Sequence, residues 1–227
     1  MNWRKHMDEQ GFAIFREVLT RPEVRQLLES FALPTLRRSR AGVRHALGHG
    51  PVATLAESPR LLEIAQEVLG KGAFPFRATL FNKSPLANWL VVWHQDTALP
   101  IRERKELRGW GPWSVKEGVI YAHAPASALD QVLALRIHLD DSTAHNGPLR
   151  VLPGTHKLGV LSDDAIRQLA TEIPAADCLA PEGGVLAMRP LLVHASSKSQ
   201  VRTMRRVLHI EFAASAIIAE GLELAVA

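Results

Sequence analysis

The sequence predicts an α+β fold with a mainly β core, a barrel or sandwich of short strands behind a helical N-terminal layer. Two observations carry this expectation. Up to about residue 72, apolar residues recur at helical spacing between start and stop signals. From Phe74 the period shortens to two, and apolar runs alternate with the turn segments "NKSP", "HNGP", "LPGTH" and "PEGG". Helices followed by many short strands fit one layered domain rather than a repeat. No internal repeat or low-complexity tract is visible. Residues 1–227 are therefore expected to form a single domain, with a mostly helical layer over 1–72, a β core over 73–215 and a C-terminal tail over 216–227.

Each element has a local reason. Thr20 can cap a helix, Pro22 suits its first turn and Glu23 completes a capping box. Val24, Leu27, Leu28 and Phe31 then supply the apolar stripe. Ser58 and Pro59 repeat the start signal, Leu61, Ile64, Ala65 and Val68 the stripe, and Gly70 stops the helix. Strands are expected at "FPFRATLFNK", "NWLVVWH", "VLALRIHLD", "PLRVL", "GGVLAMR" and "RRVLHIEFA". One capped helix, Ser162 to about Thr171, interrupts them. The stretch from Arg102 to Leu129 has no clean period and reads as a long irregular loop.

Bulk properties exclude several classes. The chain has 227 residues, 47% hydrophobic and 22% charged, an ordinary globular balance. No apolar run approaches the ~20 residues of a membrane span, and the N-terminus has no signal-peptide pattern. Cys178 is the single cysteine, which excludes an internal disulfide framework and suits a reducing cytoplasm. The net charge is +4. The densest basic stretch, Arg37 to Arg44, lacks aromatic interleaving and zinc-finger spacing, so neither nucleic acid nor membrane is expected as a partner.

The chemistry starts at "NWLVVWHQDT". Residues i and i+2 of a strand share a face, so His94 and Asp96 point together and Gln95 points away. Two ligands rarely hold a catalytic metal, and His194, 100 residues on and after another apolar run, is the best third. Two histidines and a carboxylate suit a facial triad on a ferrous ion; tetrahedral zinc is the alternative use of the set. Other histidines have plainer readings. His45 and His49 are interrupted by Gly48. His138 should leave the apolar face of its strand, and His156 sits in a turn.

Three segments then carry a family resemblance: "TLFNKSPLANWLVVWHQD", "LRIHLDDSTAHNGPLRVLPGTHKLG" and "GGVLAMRPLLVHASSKSQVRTMRRVLHIEF". In this order, over about Phe74 to Phe212, they resemble the phytanoyl-CoA dioxygenase family of iron(II)/2-oxoglutarate oxygenases, in particular its short bacterial members. The resemblance implies a double-stranded β-helix, the cupin-like jelly roll, with N-terminal and flanking helices. It implies iron ligands at His94, Asp96 and His194. The cosubstrate-binding arginine falls at Arg205, eleven residues after His194. A planar guanidinium suits the far carboxylate of 2-oxoglutarate in an apolar barrel. Arg206 should point the other way.

Further carry-overs place Ser196, Thr79 and Arg44 beside the cosubstrate. Arg136 stands where many members have tryptophan, and a buried arginine there needs an anionic partner, from cosubstrate, substrate or an acidic side chain. Asn146-Gly147-Pro148 and Pro153-Gly154 read as turns, and Trp110 and Trp113 as packing under the loop. The implied function is hydroxylation of an unactivated C–H of a small organic substrate with O2, by a monomer or homodimer in the cytoplasm. A carboxylate at Asp96 favours hydroxylation over halogenation. The alternatives are a cupin-like metalloenzyme that does not use 2-oxoglutarate, or a non-catalytic ligand-binding module on the same fold.

Overall fold

The computed structural model describes residues 2–32, 42–85 and 87–226. Two antiparallel sheets face each other. The larger runs in the order Phe12–Phe15, Val185–Met188, Val132–His138, Arg205–Ala213, Phe74–Lys83 and Gly42–Val43. The smaller runs Ala176–Cys178, Leu149–Val151, His194–Ser196 and Val91–His94. Most spatial neighbours are distant in sequence, as the rolled ladder of a double-stranded β-helix requires, and the helices pack outside it.

The strand Val132–His138 shows why the sequence chooses this architecture. All seven of its residues are buried. Leu133, Leu135 and Ile137 pack outward with Val24, Leu27, Leu61 and Ile64 of the helices. Ala134 packs inward with Leu149 and Val151 of the facing sheet. A strand covered on both sides reads as a continuous apolar run, which leaves Arg136 and His138 as conspicuous polar insertions on the inner face. His138 does leave the face of Ile137, as expected, but the other face is the barrel interior, where it is 1% exposed.

The helical starts follow their local chemistry. Thr20 and Glu23 form the reciprocal capping box of the helix Arg21–Ser30, and Gly70 ends the helix Pro59–Leu69. Leu61 and Val24 are fully buried there, each contributing roughly 2 kcal/mol. The short helices Trp3–Gln10 and Gly50–Ala56 and the edge strand Phe12–Phe15 are additions to the elements read from the sequence.

Three expectations need correction. Residues 102–129 are not a structureless loop. Trp113–Lys116 and Val119–His123 form a hairpin that extends to Ala98–Ile101, and Ala126–Leu129 is helical. The turn is Glu117-Gly118, both at positive φ (52° and 84°), a left-handed pair for which glutamate is a weak sequence signal. Trp110 and Trp113 pack against the apolar cluster of Leu99, Ile101 and Leu129. The C-terminal segment is not a loose tail. Ile217–Ala219 and Leu222–Glu223 pair as a hairpin and bury Ile218, Leu222 and Leu224. Finally, the strand at "NWLVVWH" is regular only over Val91–His94. Of the basic stretch 37–44, residues 37–41 lie outside the described residues. Among the described residues no helix is long and apolar enough to cross a membrane.

Candidate active site

The strands that carry the site are short and irregular where it forms. His194 pairs with His94, but Ser196 pairs with Val91, so two steps on one strand face three on the other. This bulge turns both Val91 and His94 into the space between the sheets, which strict alternation would forbid. The chain leaves the ladder after His94, yet Asp96 still falls beside it. Gln95 fixes that geometry from behind. Buried to 8% exposure, its amide donates to Gly159 O at 2.9 Å and Leu191 O at 2.7 Å, and its oxygen accepts from Leu161 N at 2.8 Å.

His94, Asp96 and His194 offer ligand atoms that all lie within 4.8 Å of one another. His94 Nε2 is 3.7 Å from Asp96 Oδ1, and His194 Nε2 is 3.5 Å from Asp96 Oδ2. Each imidazole bonds a carbonyl two residues back through Nδ1, His94 to Val92 O and His194 to Leu192 O, both at 2.8 Å. A carbonyl only accepts, so Nδ1 carries the proton and Nε2 presents its lone pair to the centre. This is the tautomer and second contact of a metal-binding histidine. Burial, ahead of the neighbouring charges, pushes His194 down to about 4, so it is neutral. Burial would raise Asp96, but the polar imidazoles around it and the Arg77 guanidinium hold its carboxyl well below the usual carboxylate range. Two lone pairs and a carboxylate therefore converge, a donor set that fits a divalent cation.

The remaining lining comes from the inner face of the larger sheet. The cavity is about 180 Å³ and includes Thr79, Arg136, Ser196 and Arg205. Four of the five residues expected around a cosubstrate thus meet the three metal-ligand candidates. Arg44 does not. It lies outside the cavity lining and bonds Glu117 at 2.9 Å near the hairpin turn, with half its side chain exposed. Its position near residues 33–41 in sequence carries no information about which way it turns. Arg206 points away from the cavity, as period two requires, into paired hydrogen bonds with Asp140.

Arg136 donates to His209 Nδ1 at 2.9 Å and lies over the Phe81 ring. That bond leaves the His209 proton on Nε2, and burial, then Arg136, pushes its pKa well below the ordinary range. Beyond it Arg77 and Glu211 form a buried ion pair through two hydrogen bonds. Among the described residues Arg136 and Arg205 enter no ion pair, and the Nε atoms of both are buried without a hydrogen-bond partner. Asp96 and Glu211 line the same cavity and act on Arg136 from a distance, without a close ion pair. The orphaned donors and the surplus of cations fit an anionic ligand reaching from the metal side towards Arg205. Sequence reasoning missed Lys83, Trp89, His209 and Glu211. Only Lys83 and Glu211 carried a signal, as charges at inward positions of apolar strands.

A larger surface hollow of about 480 Å³ lies among the helices, lined by Leu27, Leu55, Glu23 and Arg60. It holds no metal-ligating set among the described residues.

Related sequences and a matching fold occur in known proteins. The chain is 25% identical over 186 residues to the L-proline trans-4-hydroxylase of Streptomyces griseoviridis, which covers 70% of this chain and 62% of that protein. It is 27% identical over 106 residues to the ectoine dioxygenase of Sphingopyxis alaskensis, covering 47% of this chain and 28% of that protein. The chain thus spans less than two thirds of the length of these curated relatives. Its fold matches the crystal structure of EctD from S. alaskensis with bound Fe at a TM-score of 0.72, with 18% identity, over 94% of this chain and 76% of that one. A family model for phytanoyl-CoA dioxygenase (PhyH) matches residues 7–207, nearly the whole of the β core and the helices that cover it, and the chain therefore belongs to the phytanoyl-CoA dioxygenase family.

Proposed function

We propose that the protein is a non-haem iron(II)- and 2-oxoglutarate-dependent oxygenase that hydroxylates an unactivated C–H of a small organic substrate, with conversion of 2-oxoglutarate and O2 to succinate and CO2. The observation that carries this reading is the convergence of two Nε2 lone pairs and one carboxylate at one end of a cavity whose other end is cationic. His94, Asp96 and His194 would hold the metal. Arg205, Arg136, Ser196 and Thr79 would surround the cosubstrate. When bound, the metal and 2-oxoglutarate supply the oxidising chemistry, which no side chain can provide.

The chain's own contribution is position and exclusion of water. Gln95 and the bulge at Val92 and Trp93 set where the ligands sit. The carbonyls of Val92 and Leu192 keep both rings in the ligating tautomer. Phe81, Trp89, Val91 and Leu149 give the cavity an apolar wall. A volume of about 180 Å³ is small beside the ~300–1,000 Å³ of typical ligand sites, which supports a compact substrate or one that projects outward. The two relatives named above are called a proline hydroxylase and an ectoine dioxygenase, and both names agree with a small-molecule substrate.

The test is direct. Purified protein with ferrous iron and 2-oxoglutarate should release succinate in step with O2 uptake, slowly alone and faster with a substrate drawn from small amino and organic acids. His194→Ala should abolish both. Tight binding of iron without any succinate, in the presence and absence of that substrate panel, would remove the oxygenase reading.

A further inference from the structure

Lys83 is 2% exposed and Arg205 6% exposed, and they stand directly opposite each other on neighbouring antiparallel strands of the inner face. Like charges so placed repel, and buried charges are normally paired. Neither joins an ion pair among the described residues, and residues 33–41 contain no Asp or Glu.

Both cations converge on one atom. Ser196 Oγ accepts from Lys83 Nζ at 2.8 Å and from the Arg205 guanidinium at 3.3 Å. The hydroxyl's own hydrogen goes to Gly147 O at 2.9 Å. Gly147 is held there by its conformation: φ is +68°, and a Cβ would lie 2.4 Å from Ser197 O. Ser196 is therefore a fixed spacer between two positive groups rather than a free donor. The other contacts of Lys83 are neutral, Ser197 O at 2.6 Å and the Trp89 ring at 5.6 Å. Burial first, then the neighbouring cations, push Lys83 down to about 8 and Arg205 to about 10, the mark of positive charge without a counter-ion.

We propose that Lys83 is a cosubstrate-binding residue: with Arg205 it clamps the far carboxylate of 2-oxoglutarate, Ser196 sets the spacing of the clamp, and the pair selects a 2-oxo acid with a second carboxylate. A carboxylate offers two oxygens and about four acceptor sites, so one group can take both donors. The inference rests on the cosubstrate reading above and adds a residue to it.

The test uses full-length protein loaded with Zn(II), which binds without turnover, and calorimetric titration with two probes. 2-Oxoglutarate spans metal and clamp; oxalate reaches only the metal. Lys83→Met should weaken 2-oxoglutarate by at least about tenfold, the scale of one charge-assisted hydrogen bond, and leave oxalate unchanged. Lys83→Gln retains a donor for Ser197 O without the charge; it should melt like the wild type and lose the same selectivity, which keeps the test open if the methionine variant unfolds. The proposal is overturned if either folded variant binds 2-oxoglutarate like the wild type, or loses both probes equally, the signature of a purely structural lysine. If Arg205→Met loses 2-oxoglutarate while both Lys83 variants keep it, Lys83 alone is excluded. If wild-type protein binds Zn(II) and oxalate but not 2-oxoglutarate, the cosubstrate reading itself fails.

Discussion

Replacing Gln95 by leucine tests whether the ligand geometry is held from behind. Leucine is close in volume and can occupy the same buried space, so the change isolates polar contacts. Three hydrogen bonds disappear, to Gly159 O, Leu191 O and Leu161 N. Each is worth about 1 kcal/mol net. The Leu191 carbonyl bond is the buried one, and an unsatisfied buried acceptor costs about 1–3 kcal/mol. Burial of the leucine methyls offsets about 1 kcal/mol, so the expected loss is about 3 kcal/mol in urea unfolding of the metal-free protein. Because Gln95 lies between two ligand candidates and ties down the segment before the third, divalent metal affinity should also fall about tenfold. A loss below about 1 kcal/mol with unchanged metal affinity would refute the reasoning, since the three bonds would then neither stabilise the fold nor position the ligands.

Other perturbations probe separate parts of the molecule. Glu211→Gln leaves Arg77 as an uncompensated buried charge and should destabilise by about 3–5 kcal/mol, whereas Arg77→Met with Glu211→Leu should recover most of that; chemical denaturation of the set decides. Arg44→Ala should leave 2-oxoglutarate binding to the Zn(II)-loaded protein intact, because Arg44 pairs with Glu117 outside the cavity; a large loss would return Arg44 to the site. Glu23 is held down to about 2 by its hydrogen bonds from Arg60 first and then Thr20. A depressed carboxylate stabilises the fold above its ordinary value of 4.5 and loses that contribution as pH falls towards 2. Glu23→Gln should flatten this part of the stability curve, and an unchanged slope between those pH values would show that the capping box contributes nothing to it.

Legibility differed by residue. The helix starts at Thr20 and Ser162 could be read because capping depends on atoms within three residues. The strands Phe74–Lys83 and Arg205–Ala213 match their expected limits because each is a continuous β-forming run between turn segments, even though their pairing shifts register at Glu211 and Phe212. The hairpin at Glu117-Gly118 was hidden because its turn residues are not the usual ones, and its apolar face is small. The pairing of His94, Asp96 and His194 was legible through spacing and resemblance, since the i, i+2 rule survives even past the end of the strand. The direction of Arg44 was not, because a long exposed side chain follows whichever counter-charge is near it in space.

The sequence by itself determined the order of elements, the period of each and the identity of the converging metal-ligand candidates, because these depend on local backbone preference and on residue type. Tertiary structure alone decided what stands opposite what. The bulge that turns Val91 and His94 to one side, the charge of Arg136 without an ion pair among the described residues, and the convergence of Lys83 and Arg205 on Ser196 arise from pairing between strands distant in sequence. Electrostatic environment is a property of that register, and register is set by the packing of whole faces rather than by any one segment.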